Sequence, residues 1–119
     1  MELKKINIEG REVTFVNEAR DTRHGFAHDT TVFINNRQVA KNTAHYLNRT
    51  WECYRFQTVM LGAIYTLIEE AKAEVKAQFM AEKGYGRLTA KRAEELERVY
   101  AENADIRFYE AIRTNLKGY

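Results

Sequence analysis

The segment from Tyr46 to Glu52 marks the point where this chain changes its hydrophobic periodicity, and that change constrains the fold most. Upstream of it, apolar and polar residues alternate, as they do in strands that bury one face. Downstream of it, apolar residues recur at helical spacing over roughly thirty residues, which is long for a small domain. The sequence therefore predicts a β-rich N-terminal part joined directly to a long helix.

The first strand pair is predicted between residues 3 and 19. Gly10 and Arg11 suit a two-residue turn with glycine in the first position. On one face of the pair, this register places four apolar side chains, Ile8 opposite Val13 and Ile6 opposite Phe15.

A second hairpin is predicted from residues 26–34 and 37–46, after a polar loop that runs from Arg20 to Gly25. It turns at Asn35 and Asn36, because Asn tolerates the positive φ angles of a type I′ turn. Three pairs are expected from this register: Phe26 with His45, His28 with Thr43, and Val32 with Val39. A helix can pack closely on the face that carries the small residues Ala27, Ala40 and Ala44.

Helical spacing continues almost to the last residue. Gly84 is expected to end the first helix (50–83), and Thr89 to cap a second helix (89–117) with a kink near 103–105. The predicted fold is α+β: a four-stranded antiparallel sheet of two hairpins (1–47) precedes a long α-helical hairpin, in the order β-β-β-β-α-α. Helices of this length extend past the sheet, so their ends, where Tyr85 and Tyr119 lie, are expected to allow homodimer formation or partner binding.

The composition is typical of one soluble, intracellular globular domain covering residues 1–119. Hydrophobic residues make up 45% and charged residues 30%, and a single Cys excludes an internal disulfide. The first residues lack the apolar core of a secretion signal, and no stretch is apolar enough to span a membrane. The net charge of +2 permits nucleic-acid binding without requiring it.

Two interpretations fit the junction between the sheet and the first helix. In the structural one, Asn48 or Thr50 caps the helix, Glu52 interacts favourably with its dipole, and Trp51 wedges it against the last strand. In the functional one, Arg49 and the free amide groups of the helix N-terminus bind an anion such as phosphate. Because Glu52 opposes a bound anion, the structural interpretation is favoured.

The histidines and the cysteine do not match a known metal-site pattern. In the expected register His28 and His45 are near-diagonal neighbours on one face, and His24 lies in the preceding loop. Cys53 would have to complete a four-ligand zinc site from the start of a helix, and no spacing fits a zinc motif. We therefore expect neither a metal nor another cofactor.

Catalytic motifs are also lacking in the sequence. Cys53, His45 and Asp29 have catalytic meaning only if the tertiary structure brings them together. A lone Cys in the first turn of a helix on an apolar layer is usually a small buried hydrophobic residue. No glycine-rich phosphate loop, HExxH or GxSxG occurs, so we expect a non-enzymatic protein without catalytic residues.

Basic residues are concentrated in the β part, whereas the helices carry most of the acidic ones. Basic turns beside aromatic residues can follow a phosphate backbone, so a small nucleic-acid-binding module is one alternative. The helical Glu residues are interleaved with Lys and Arg, which is typical of a solvated face. The candidate binding residues are Arg20, Arg23, His24, Arg49 and, at the expected helical tip, Tyr85.

Two stretches carry a resemblance to other proteins: Thr22-Arg23-His24-Gly25-Phe26-Ala27-His28 and Tyr46-Leu47-Asn48-Arg49-Thr50-Trp51-Glu52. Their pattern, GF-x-H … Y-x-NRTWE followed by an aromatic-rich helix, resembles a group of small bacteriophage and prophage accessory proteins that are mostly uncharacterised. The resemblance covers about residues 20–68 and carries no chemistry that transfers to single residues.

This resemblance implies a phage or mobile-element origin and expression in the bacterial cytoplasm. Small accessory phage proteins often disarm host defences, including CRISPR nucleases, by binding them without catalysis. From the resemblance we expect a protein that binds a host protein or protein–nucleic-acid complex, as an anti-defence inhibitor of the anti-CRISPR kind.

Overall fold

The computed structural model describes residues 1–47 and 55–118. Four strands come first, and three helices follow. They are β1 (Glu2–Ile8), β2 (Arg11–Thr22), β3 (Gly25–Ile34), β4 (Arg37–Leu47), α1 (Phe56–Lys83), α2 (Ala90–Glu102) and α3 (Ala104–Lys117). The predicted α+β fold, with an antiparallel four-stranded sheet before the helices, is confirmed. The predicted start of the first helix at residue 50 is wrong, because Arg55 has an extended backbone and α1 begins at Phe56.

The sheet is a simple meander in which each strand pairs with its neighbour in sequence. The first turn is formed by Glu9 and Gly10, with φ angles of 53° and 80°, and not by Gly10 and Arg11 as predicted. Ile6 therefore pairs with Val13, two residues away from the expected register. Because strand side chains alternate with a period of two, a shift of two residues keeps the same residues on the buried face.

The predicted polar loop from Arg20 to Gly25 is wrong. β2 continues to Thr22, which pairs with Gly25, so the turn contains only Arg23 and His24. The expected break between two hairpins therefore does not exist, and β2 pairs with β3 continuously from Val13 to Thr22.

The predicted turn at Asn35 and Asn36 is confirmed, with φ angles of 48° and 66°. The register beyond it was wrong, because Val32 pairs with Ala40 while Phe33 pairs with Gln38. Val39 is therefore an additional residue on β4, which is the property of a β-bulge. The bulge moves every later β4 residue by one position and thus to the opposite face.

One face of the sheet, which we call the inner face, packs on the helices. Val13, Phe15 and Val32 are fully buried there, against Met60 of α1 and Ile112 of α3 among others. Ala40 packs against this core, and Ala44 lies on the same face. Ala27 lies on the other face, which we call the outer face, so the expected grouping of three alanines was wrong for Ala27.

α1 is about 42 Å long, and its residues that pack in the core with the sheet fall between Phe56 and Ile68. Gly84 ends it in the left-handed conformation, as predicted. The predicted second helix is divided at Asn103, which ends α2 and also caps α3 by accepting a hydrogen bond from the Ile106 amide at 3.0 Å. α3 returns to the sheet, where the Leu116 carbonyl accepts a hydrogen bond from Gln57 Nε2 at 2.7 Å. No helix in the described part of the chain is long and apolar enough to cross a membrane.

Candidate binding surface

The inner face carries a buried polar and aromatic cluster at the end of the sheet beyond Phe15. Asn17 Nδ2 lies 2.9 Å from His28 Nδ1, and Thr30 Oγ1 donates to Asn17 Oδ1 at 3.3 Å. The Phe26 and Tyr46 rings are stacked with centroids 5.1 Å apart, and the His28 ring meets both edge-on. Asn17, His28 and Thr30 are at most 2% exposed, so this cluster supports the fold and does not present itself to a partner.

His28 is held in its neutral form. Burial lowers its pKa below the ordinary value of 6.5, and the opposing effects of Glu2 and Asp29 are smaller. The Asn17 amide donates to Nδ1, so the ring proton of the neutral imidazole is assigned to Nε2. A neutral, buried imidazole with a fixed tautomer acts as a structural hydrogen-bonding group.

The three histidines lie apart, contrary to the expected register. The bulge at Val39 turns His45 to the outer face, while His28 stays on the inner face. His24 lies in the exposed turn after β2. Across residues 1–47 and 55–118, no group of three His, Cys, Asp or Glu residues is placed to hold a metal ion. Cys53 lies outside the described residues.

The basic residues of the β part do not form one patch. Arg11 and Arg37 flank the two turns at one end of the sheet, whereas Arg23 and His24 form the turn at the other end. The ten to twelve residues of the central strands separate these ends by roughly 35 Å at about 3.3 Å per residue. Arg11 is also engaged, since its guanidinium lies 4.4 Å from the centroid of the Phe108 ring.

Arg20 belongs to a small network on the outer face. Its Nε donates to Asp29 Oδ2 at 2.8 Å, and Thr43 Oγ1 donates to Asp29 Oδ1 at 2.6 Å. The hydrogen bonds from Thr43 and Arg20 lower the pKa of Asp29 below its ordinary value, so its carboxylate stays charged. The network joins side chains from three strands, of which Arg20 and Asp29 carry the charges.

Beside this network, the outer face has an apolar centre that the described helices leave uncovered. Leu3 pairs with Val16, and Val16 with Thr31, in a row across three strands. Phe33 lies next to this row, opposite Thr14. We call Leu3, Val16 and Phe33 the outer stripe. Leu3 is 52% exposed, and the other two are half-buried.

A shallow depression of about 210 Å³ opens on the outer stripe. Its floor is formed by Val16, Thr31 and Phe33, and its rim by Glu18, Asp29, Gln38 and Lys41. An apolar centre inside a charged and polar rim is the usual anatomy of a protein-binding surface.

Tyr85 was expected to be a contact residue at the helical tip, and the structure places it inside an intramolecular clasp. Its hydroxyl donates to Glu95 Oε2 at 3.3 Å, and the Arg92 guanidinium lies 4.1 Å from its ring centroid. The Phe79 ring meets it edge-on at 5.7 Å. These contacts join the end of α1 to α2, so the half-buried ring serves the connection between the helices.

A second cavity of about 320 Å³ lies where the three helices meet, lined by Lys72, Tyr100, Ile106 and four neighbours. Lys72 Nζ lies 5.5 Å from the Tyr100 ring centroid, and burial together with Glu97 and Glu69 raises the pKa of the Tyr100 hydroxyl. Both charge signs occur in its lining, without a convergent set of donors or acceptors. Although larger than the depression on the outer face, this cavity defines no ligand chemistry.

Most of the junction, including Asn48, Arg49, Thr50, Trp51 and Glu52, lies outside the described residues. α1 has Arg55 as its N-cap and no acidic residue in its first turn, so the predictions that Asn48 or Thr50 caps this helix and that Glu52 lies in its first turn are wrong. The anion-binding role of Arg49 stays a prediction. Tyr46 is described, and its stacking on Phe26 places it in the inner cluster.

Sequence reasoning missed the outer stripe, although a signal for it was available. In strands with a period of two, Leu3 and Val16 necessarily lie on the face opposite to the partly buried Ile6 and the buried Phe15. Two apolar residues on the expected solvent side of neighbouring strands were the available indication of a second surface.

The chain matches no protein-family model, and comparison with curated proteins and with solved structures gives no significant match.

Proposed function

We propose that this protein acts without catalysis, by binding a macromolecular partner on the outer face of its sheet. The observation that carries the proposal is the outer stripe, an apolar centre on a sheet face with a prearranged charged rim. Monomeric soluble proteins rarely expose contiguous apolar patches larger than roughly a few hundred Å², and larger patches mark interaction sites.

The dimensions of the sheet suit this role. Four strands spaced by about 4.8 Å, with roughly ten residues each at about 3.3 Å, present a face of roughly 600 Å². One side of a standard protein–protein interface measures about 800 Å². The outer face with its surrounding turns is therefore of the right order for one specific partner.

The charges of the outer face favour a protein partner over a bare phosphate backbone. The outer face carries as many acidic as basic side chains. The basic ones are Lys5, Arg20 and Lys41, and the acidic ones are Glu12, Glu18 and Asp29. A surface with both signs in equal number complements another mixed surface, whereas nucleic-acid binding requires a basic excess.

The nucleic-acid-binding alternative has one supporting observation, the exposed turn of Arg23 and His24. The remaining basic turns lie at the far end of the sheet, and Arg20 is paired with Asp29. This alternative predicts binding to single-stranded nucleic acid that weakens steeply with salt and is lost in Arg23→Gln.

We further propose that the partner is a host protein or protein–nucleic-acid complex, and that binding inhibits a defence system of the anti-CRISPR type. The resemblance of residues 20–68 to phage accessory proteins supports this part of the proposal. The proposed mechanism is steric. The outer face covers a surface of the host protein, and binding alone then blocks access to that surface.

The test is affinity capture from bacterial host lysate with three forms of the protein: wild type, a Val16→Lys and Phe33→Lys double variant, and a Tyr65→Lys control. Tyr65 is 61% exposed on α1, far from the outer stripe in the fold. The proposal expects one defence protein to be retained by wild type and control but not by the double variant, and to rebind when purified. Equal retention by all three forms would contradict the outer face as the binding surface.

A phage plating assay tests the anti-defence part separately. Expression of wild type and the Tyr65→Lys control should raise plating on a host with an active defence system, whereas the double variant should not. Unchanged plating with wild-type protein would contradict inhibition of that defence while leaving partner binding to be judged by capture.

A further inference from the structure

The open edge of β1 carries an exposed leucine that the fold itself does not use. β2 is the only strand beside β1 among the described elements, so the other side of β1 is a sheet edge. Leu3 is 52% exposed, and only Met1 and Tyr65 are comparable large hydrophobic residues in the described part of the chain. The described residues around Tyr85, one of the helix ends where pairing of two copies was expected, include none, and Tyr119 lies outside the described residues.

The backbone of β1 is arranged to accept another strand on this side. Ile8 and Arg11 flank the two-residue turn and therefore form a hydrogen-bonded pair. Hydrogen-bonding direction alternates along a strand, so the N–H and C=O groups that point to the open side belong to Leu3, Lys5 and Asn7.

We propose that a second copy of this chain pairs with this edge, β1 against β1 in antiparallel orientation, about a two-fold axis at Leu3. In this register Leu3 of each copy lies opposite Leu3 of the other, with their outward backbone groups in a hydrogen-bonded pair. Glu2 lies opposite Lys4 of the second copy on the inner side, and this pair occurs twice by symmetry. The pairing therefore joins two apolar side chains and two pairs of unlike charge.

Neighbouring registers are disfavoured by charge. An axis at Glu2, Lys4 or Lys5 would place identical charges directly opposite each other. An axis at Ile6 would place Lys4 opposite Ile8, which is buried in the core, and would bring the turns close to the partner strand. The register centred on Leu3 has neither defect.

The pairing would make one eight-stranded sheet with a continuous outer face. The outer stripe of one copy would meet that of the other at Leu3, so the dimer would present an apolar surface of twice the length. About five residues of each strand take part, and a contact of this size gives a weak, concentration-dependent dimer. This inference does not depend on the proposed function, because it concerns the purified protein alone.

Disulfide trapping tests the register. In a Cys53→Ser background, Leu3→Cys would place two thiols on residues whose Cα atoms are about 5.5 Å apart, within the range that a disulfide spans. Lys5→Cys is the matched control, since its Cα atoms would be about 14 Å apart in the same register. We expect a covalent dimer from Leu3→Cys and not from Lys5→Cys under mild oxidation, with unchanged circular dichroism in both. Equal trapping at both positions, or none at position 3, would overturn the proposal.

A charge exchange measured by sedimentation equilibrium gives an independent answer. Lys4→Glu would set Glu2 against a second carboxylate twice and should weaken dimerisation about tenfold, because like charges directly opposite each other on neighbouring strands are unfavourable. The Glu2→Lys and Lys4→Glu double variant should restore wild-type dimerisation. A protein that stays monomeric at all soluble concentrations, or a double variant as weak as the single one, would overturn the proposal. The capture experiment changes positions 16 and 33 only, whereas the dimer experiments change residues of β1. Each proposal can therefore fail without affecting the test of the other.

Discussion

The two faces of the sheet have similar backbones but opposite chemistry. On the inner face Asn17, Thr30 and His28 are buried together, and helices cover the apolar residues around Phe15. On the outer face Arg20 and Asp29 form an ion pair near the surface, and Leu3 is exposed to solvent. The inner face therefore determines stability, and the binding function that we propose concerns the outer face.

The largest expected effect tests the inner face. Phe15→Ala should reduce the free energy of unfolding by about 3–5 kcal/mol, because Phe15 is fully buried and its removal leaves a cavity. Chemical denaturation monitored by circular dichroism measures this change. Phe33→Ala on the outer face is the matched control, and a loss as large as that of Phe15→Ala would mean that the two faces do not differ in this way.

A pH dependence distinguishes the buried histidine from the exposed one. The folded-state pKa of His28 is lowered, so the unfolded chain binds more protons between 6.5 and that lower pKa. The contribution of His28 to the free energy of unfolding is therefore fully present above pH 6.5 and decreases as the pH falls below that value. Replacing His28 with Gln should remove this slope, whereas His45→Gln should leave it in place. An identical pH profile for wild type and His28→Gln would contradict the neutral, buried state.

Charging the outer stripe should separate stability from binding. Phe33→Lys should change the free energy of unfolding by no more than about 1 kcal/mol, because the side chain is half-buried on an open face. The same variant should lose most of its partner binding in calorimetry with the purified partner. Loss of the fold in Phe33→Lys would show that the outer stripe belongs to the core.

The smallest expected effect concerns Asp29. Its pKa is lowered by Thr43 and Arg20, so its contribution is present above the ordinary value of 3.8 and is lost as the pH falls through the folded pKa. Asp29→Asn should cost less than about 1 kcal/mol near neutral pH, as exposed ion pairs usually do. Thermal melts should show a larger difference between wild type and variant at neutral pH than at pH 3. A large loss at neutral pH would mean that this network stabilises the fold as strongly as the inner face.

The fold was predictable because its information is local. Alternation in the first 47 residues indicates strands, and helical spacing after residue 56 indicates helices. Thr89 as a helix cap and Asn35 as a turn residue likewise act through their neighbours in sequence. The errors arose where a single residue changes the register. Val39 forms a bulge without any glycine or proline to mark it, and Glu9 adopts a positive φ that its residue type does not favour.

The candidate site was less predictable for a different reason. Basic residues were grouped by their position in turns, but a meander sends alternate turns to opposite ends of the sheet. The outer stripe combines Leu3, Val16 and Phe33 from three strands, so it exists only once the register is known. Tyr85 was placed correctly at the helical tip, but its contacts with Arg92 and Glu95 depend on how α2 packs.

The meander also determines the order in which the protein can assemble during synthesis. Every strand pair is complete once residue 47 has emerged, whereas α3, which completes the cover of the inner face, emerges last. At a synthesis rate of about 5–20 residues per second, Leu116 is added roughly 4 to 17 seconds after Val32. A chain that lacks α3 therefore leaves apolar side chains of the inner face uncovered, and messages truncated before α3 should yield aggregated product.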